Sequence, residues 1–285
     1  MNALWSKAIR EVRWQLAGSI LIVLAFHWIR VWITSLFPIK QFQRLLGFIP
    51  DTFLPLLPVP KEDLATVAGR IAIAYDDPLP VMILIAWGIG RGSDAVSGEL
   101  GRGTLELVLA QPVRRMTVIG TQAAVTVIGA ALICYAAWLG TYMGVHTITL
   151  EEPVSAKLFV PAAFNAFSMT VFLAGLATLA SSFDRFRART IGLMAGFFAI
   201  ELLLKVVGLV GKDLHWLLNF TFLTAFEPQR LVASPEFAWS LTVPLHNGDW
   251  AWGGLSYQAV LLGMGLVSYV IAIAHFCRRD LPAPL

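Results

Sequence analysis

LAGSILIVLAFHWIRVWITSLF, residues 16–37, is an apolar run whose only formal charge is Arg30. A helix needs about 20 mainly apolar residues to cross the hydrocarbon core of a bilayer. Lys7, Arg10 and Arg13 precede the run, so a secretory signal is the competing reading. A signal has an apolar core of only about 7–15 residues and a small-x-small cleavage site behind it. This run is longer, and no such site follows it, so it reads as a retained first membrane span.

Five further stretches resemble it, near residues 78–97, 116–143, 159–181, 190–210 and 254–277. The composition agrees: 57% of the 285 residues are hydrophobic and 14% are charged, against about 25% charged in a soluble domain. Too little polar surface exists to clothe a soluble globule of this size. The expected fold is an all-α integral membrane protein, one transmembrane domain over residues 1–285 with six transmembrane helices. The start of the second span is marked by Asp77 as a helix cap and Pro78 in the first turn, where a missing N–H costs nothing. Cys134 and Cys277 lie in different apolar stretches and read as buried thiols. No long charge run provides a footprint for nucleic acid.

Residues 1–15 place Trp5, Ala8, Ile9, Val12 and Leu16 on one helical face and Lys7, Arg10 and Glu11 elsewhere. A basic amphipathic helix of this kind favours a layer of anionic lipid headgroups. It reads as a helix lying on the membrane or as an extension of the first span.

Orientation follows from lysine and arginine placement. Segments 1–15, 91–115, 182–189 and 278–285 hold 12 Lys+Arg and 6 Asp+Glu in 56 residues; segments 38–77, 144–158 and 211–253 hold 7 and 11 in 98 residues. The first set is denser in positive charge and is assigned to the cytoplasm. Both termini are then cytoplasmic in a multi-pass protein of the plasma (inner) membrane. Of the outer segments, 38–77 is rich in proline and then places Leu64, Val67, Ala68, Ile71 and Tyr75 at helical spacing, which predicts an interfacial helix. The other, 211–253, carries Trp216, Phe220, Phe222, Phe226, Trp239, Trp250 and Trp252. Tryptophan prefers the headgroup level, so this segment is expected in the outer leaflet.

The most informative stretch for function is GSDAVSGELGRGTLELVLAQPVRR, residues 92–115. Leu100, Thr104, Leu107 and Val108 share one helical face; Glu99, Arg102 and Glu106 form a charged one. Pro112 disfavours helical geometry at Gln111, and Arg115 follows at the inner headgroups. A short helix over 98–111, projecting on the cytoplasmic side, is either a docking element or a solvated connector.

The pattern Glu99, Gly103, Thr104, Leu105, Glu106, Leu109, Ala110, Pro112, Val113 and Arg115 resembles the loop between spans two and three of ABC-2 family permeases. Within that family the chain looks most like the multicopper-enzyme-maturation type. The resemblance implies an elbow helix at 1–15, a coupling helix within 98–111, and a second permease chain as homodimer or heterodimer partner. It also implies a separate ABC ATP-binding subunit that carries the ATP and Mg. The sequence contains no Gly-x-x-x-x-Gly-Lys-Ser/Thr phosphate loop, so it is not expected to be an enzyme by itself and no cofactor is expected in this chain.

Charges within spans are functional candidates. Glu201 and Lys205, with Glu first and four residues apart, are spaced for an ion pair; alternatively Lys205 snorkels outward with Glu201 beside it. The five histidines are scattered, and no metal site is expected. The leading function is the permease subunit of an ABC exporter with membrane lipid around it; the alternatives are an ion-driven secondary transporter or a non-transporting membrane scaffold.

Overall fold

A computed structural model describes residues 2–48, 50, 56–57, 59–103, 113–211, 213–240 and 255–278. Among them, six helices are long and apolar enough to cross a membrane. The helices are Asn2–Leu36, Pro78–Ser93, Arg115–Thr147, Val160–Phe183, Arg187–Val210 and Tyr257–Arg278, here spans one to six. Alone, the sixteen residues of Pro78–Ser93 rise about 24 Å, short of a bilayer core of about 30 Å. The helical path continues through a π-helical turn at Asp94–Gly98 and a last α-turn at Glu99–Gly101, which makes up the length. Its start is as expected: the Asp77 carboxylate accepts from the Leu79 N–H at 3.4 Å, with Pro78 in the first turn.

Of the two readings of residues 1–15, span one takes the continuous form. Asn2–Leu36 is a single 35-residue helix with no break near residue 15. Ala8 and Val12 on the amphipathic face are buried within the protein, while Ile9 is exposed. The helix rises about 52 Å, so its first turns extend past the bilayer core as a continuation of span one.

Span four is the hub. Spans two and six pack along it, and span one packs along span three. In its most apolar 18-residue window 78% is buried, against 17% in spans one and five. Small residues allow this crowding, because close backbone approach is what holds helices together in lipid. A Cβ on Gly175 of span four would lie 2.5 Å from the Gly265 carbonyl oxygen of span six. Tryptophans add ties between other elements: Trp87 donates to the Thr126 carbonyl at 3.0 Å, and Trp138 to that of Ala156 at 3.0 Å.

The segments assigned to one side by charge gather at one end of the bundle, named inner and outer here after that assignment. The described parts of the outer segments fold against the bundle. The expected interfacial helix is broken at Thr66, whose hydroxyl caps Val67–Ala72. Its apolar face is turned into the protein, with Leu64, Val67, Ile71 and Tyr75 buried. Arg70 explains the inward turn: it donates to the carbonyls of Thr34 and Phe37 and lies 3.7 Å from Glu151. The aromatic segment is likewise divided. Phe222 and Phe226 are buried in the bundle, while Trp216, Phe220 and Trp239 are exposed; Trp250 and Trp252 lie outside the described residues.

Gly175→Val is expected to destabilise the protein by about 1–3 kcal/mol, the usual cost of overpacking. Gly263→Val, one turn region away where nothing lies within 4 Å, should have little effect. Thermal unfolding in detergent checks this, and equal midpoints for the two variants would contradict the packing described.

Candidate functional site

The inner end of span two is built around a helical irregularity. A π turn displaces backbone amides from their usual carbonyls, and buried amides need partners. Ser181 of span four supplies one: its hydroxyl accepts from the N–H groups of Val96 at 3.3 Å and Ser97 at 2.8 Å, and donates to the Ser93 carbonyl at 3.0 Å. Gly98 completes the turn. A Cβ there would lie 2.1 Å from Asp94 Oδ1, so the glycine lets the Asp94 carboxylate lie along the helix surface.

Asp94, with 8% of its side chain exposed, gathers three guanidinium groups. Arg102 reaches it with both terminal nitrogens at 2.8 and 3.3 Å, Arg91 lies at 3.3 Å, and Arg187, the first residue of span five, at 3.4 Å. Arg91 also donates to Gln122 of span three at 2.6 Å, and Arg187 to the Gly90 carbonyl at 3.3 Å. The hydrogen bond to Asp94 raises the Arg102 pKa above its ordinary value. Glu99, with 3% of its side chain exposed, accepts from Lys7 of span one at 2.7 and 2.9 Å and from Arg102 at 3.2 Å. Four segments far apart in sequence thus meet where span two leaves the bundle.

This geometry changes the reading of the loop. The helix that continues span two ends at Gly101, and Gly103 has φ +68°; the remainder of 98–111 lies outside the described residues. That left-handed conformation suits glycine and terminates helices. Glu99 is turned to Lys7 and Arg102. Thr104, Leu105, Glu106, Leu109 and Pro112 lie outside the described residues; Arg115 opens span three.

At the outer end, Glu201 and Lys205 do not pair with each other. The outer segment folds back over span five and supplies a partner to each. Lys205 donates to the Glu227 carboxylate at 2.7 Å and to the carbonyls of Leu223 at 2.9 Å and Phe226 at 3.4 Å. Glu201 accepts the Phe222 N–H at 3.0 Å, and its own carbonyl accepts the Thr221 hydroxyl at 3.1 Å. Asn165 of span four, which the sequence reading passed over, grips the same segment from the other side. Its amide donates to the Ala225 carbonyl at 2.9 Å and accepts from the Glu227 N–H at 3.1 Å. A lone asparagine in an apolar run was the available signal. Among the described residues, no three His, Cys, Asp or Glu side chains gather as a metal ion would need.

Six helices long and apolar enough to cross a membrane, with a charged cluster where the second of them ends, mark the chain as an integral membrane protein. A family model described as ABC-2 family transporter protein matches residues 59–281. The chain belongs to that family: it is an ABC transporter permease. The match does not narrow to the multicopper-enzyme-maturation type. No curated protein matches the chain.

The outer contacts predict an unequal pair of double mutants. Lys205→Met leaves Glu227 as an uncompensated carboxylate, at a cost of about 3–5 kcal/mol for a buried pair, less here because both side chains are partly exposed. Adding Glu227→Gln should recover part of that loss. Adding Glu201→Gln should deepen it, because Glu201 has separate partners. The amount of folded protein in detergent extracts measures both, and recovery by Glu201→Gln instead would restore the i,i+4 pair.

Proposed function

We propose that this chain is the membrane subunit of an exporter driven by ATP hydrolysis on a separate subunit, with the loop after span two as the point of coupling. One observation carries the reading. The buried ion pairs of Asp94 and Glu99 join the exit of span two to span one through Lys7 and to span five through Arg187. A force applied at the loop therefore reaches three spans at once. Family members generally pair with ATP-binding subunits, and nothing in this sequence supplies its own phosphate loop. A second permease chain completes the assembly, as homodimer or heterodimer, with ATP and Mg held by the partner. The inner end faces the cytoplasm of the plasma (inner) membrane, on the charge asymmetry of the sequence.

An ion-driven mechanism would place functional charges at the middle of broken helices. The acidic residue nearest the middle of a span, Glu201, instead holds the backbone of the outer segment.

Since Glu99 is engaged within the chain, docking falls to Leu105, Glu106 and Leu109. Leu105→Asp combined with Glu106→Lys should weaken capture of the ATP-binding subunit at least about tenfold, equivalent to about 1.4 kcal/mol. Asp94→Asn should leave capture intact and lower the permease-dependent rate of ATP hydrolysis several-fold. Capture in pull-downs and hydrolysis by the reconstituted complex, at matched membrane expression, are the measurements. Wild-type values for both variants would remove the coupling role from this loop.

Orientation has its own test. With Cys134 and Cys277 replaced, single cysteines at Glu62, Glu152 and Asn247 should react with an impermeant thiol reagent in intact cells. Reaction of Glu62→Cys only after lysis would invert the topology.

A further inference from the structure

The outer halves of spans two and five face a common cavity. Between them lies a chamber of about 580 Å³, within the usual range of about 300–1,000 Å³ for small-molecule sites. Val81, Met82 and Ile85 of span two form one wall, spaced at one helical face; Phe198, Leu202 and Val206 of span five form the other. Met82 and Leu202 line the chamber and are also 67% and 49% exposed, so it opens sideways, towards the lipid of the outer half of the bilayer.

The polar end of the chamber is formed by Asp76, Lys205, Glu227, Arg230 and Tyr257. Most of these groups are already engaged. The three donors of the Lys205 ammonium meet Glu227 and two carbonyls. Arg230 donates to the Tyr257 hydroxyl at 2.9 Å and lies over the same ring. The neighbouring Asp77 caps span two. Asp76 differs: among the described residues its carboxylate has no hydrogen-bond or ion-pair partner, and it stands exposed on the chamber wall.

A carboxylate beside an apolar chamber selects by charge. Lipid and the apolar walls lower the local dielectric, which favours the neutral acid while nothing is bound and strengthens the ionised carboxylate's attraction for a cation and its repulsion of an anion. The Lys205 ammonium, saturated by its own partners, does not offer an anion a competing donor. The walls add apolar surface for the rest of the ligand, at roughly 25 cal/mol per Å² removed from water. A ligand that uses both features has one positive centre and a hydrophobic body.

We propose that this chamber binds a lipophilic organic cation, with its positive centre against Asp76 and its body between Met82, Ile85, Phe198 and Leu202. This rests on the reading of the chain as a transporter's membrane subunit, and it names the substrate class.

The test measures binding to the purified full-length permease in phosphatidylcholine nanodiscs, without the ATP-binding subunit. The probe is radiolabelled tetraphenylphosphonium, with empty nanodiscs as the baseline. Saturable binding is expected, displaced by unlabelled tetraphenylphosphonium and not by tetraphenylborate, an anion of nearly the same shape. Asp76→Asn should weaken binding at least tenfold with an unchanged melting curve, whereas Asp76→Glu should retain most of it. Leu202→Trp, which fills the chamber without touching a charge, should also weaken it. Absence of saturable binding, full binding by Asp76→Asn, or equal displacement by tetraphenylborate would each overturn the proposal. Because no ATP-binding subunit is present, failure here leaves the coupling measurements intact, and failure of coupling leaves this result intact.

Discussion

A charge among apolar helices must find its partner inside the protein, since lipid offers none. Much of this structure follows from that constraint. Asp94 and Glu99 are drawn against arginine and lysine from other segments, and those contacts fix how the inner ends of spans one, two and five sit together. Lys205 and Glu201 are drawn towards a segment that would otherwise be a loose outer loop. Arg70 does the same for the segment after span one, through the carbonyls at that span's end. Apolar packing on span four gives the bundle its mass, but non-directional contacts fix neither end of a helix. The ion pairs and buried amides do.

That division explains what the sequence revealed. Span-length apolar runs are visible because they are local: about 20 residues either are apolar or are not. Asp77 and Pro78 were equally legible, because a cap acts within one turn. Glu201 and Lys205 were not, although both were recognised as unusual. Their spacing favours mutual pairing only while the alternatives are water and lipid. The fold adds Glu227 and the Phe222 N–H, some twenty residues away, and these outcompete the i,i+4 neighbour. Glu99 followed the same course. Its helical spacing from Arg102 was correct and the contact exists, but Lys7 of span one, 92 residues away, also binds the carboxylate.

Gly103 shows a second kind of limit. Amphipathic periodicity places a helix within 98–111, but periodicity carries no information about backbone sign. The positive φ at Gly103 ends the helix after Gly101. The consequence for the site is mechanical. With the helix stopped there, the Asp94–Arg102 fork and the Glu99–Lys7 pair sit within the last turns of span two itself, so the loop joins a rigid, multiply held end rather than a free one. The π turn between Asp94 and Gly98 is the one place in that end where the ladder is already altered, and Ser181 of the hub span holds it.

Spans two and five take part at both ends of the molecule. At the inner end they are joined, through Arg187 to Asp94 and to the Gly90 carbonyl. At the outer end both line a chamber, with Met82 and Ile85 on one side and Phe198 and Leu202 on the other. Span five is among the least buried of the six, while span two is held along span four. Spans two and five therefore contribute both to the charged cluster at the inner end and to the chamber at the outer end, and whatever sets the position of one at either end bears on the other through the same ion pair.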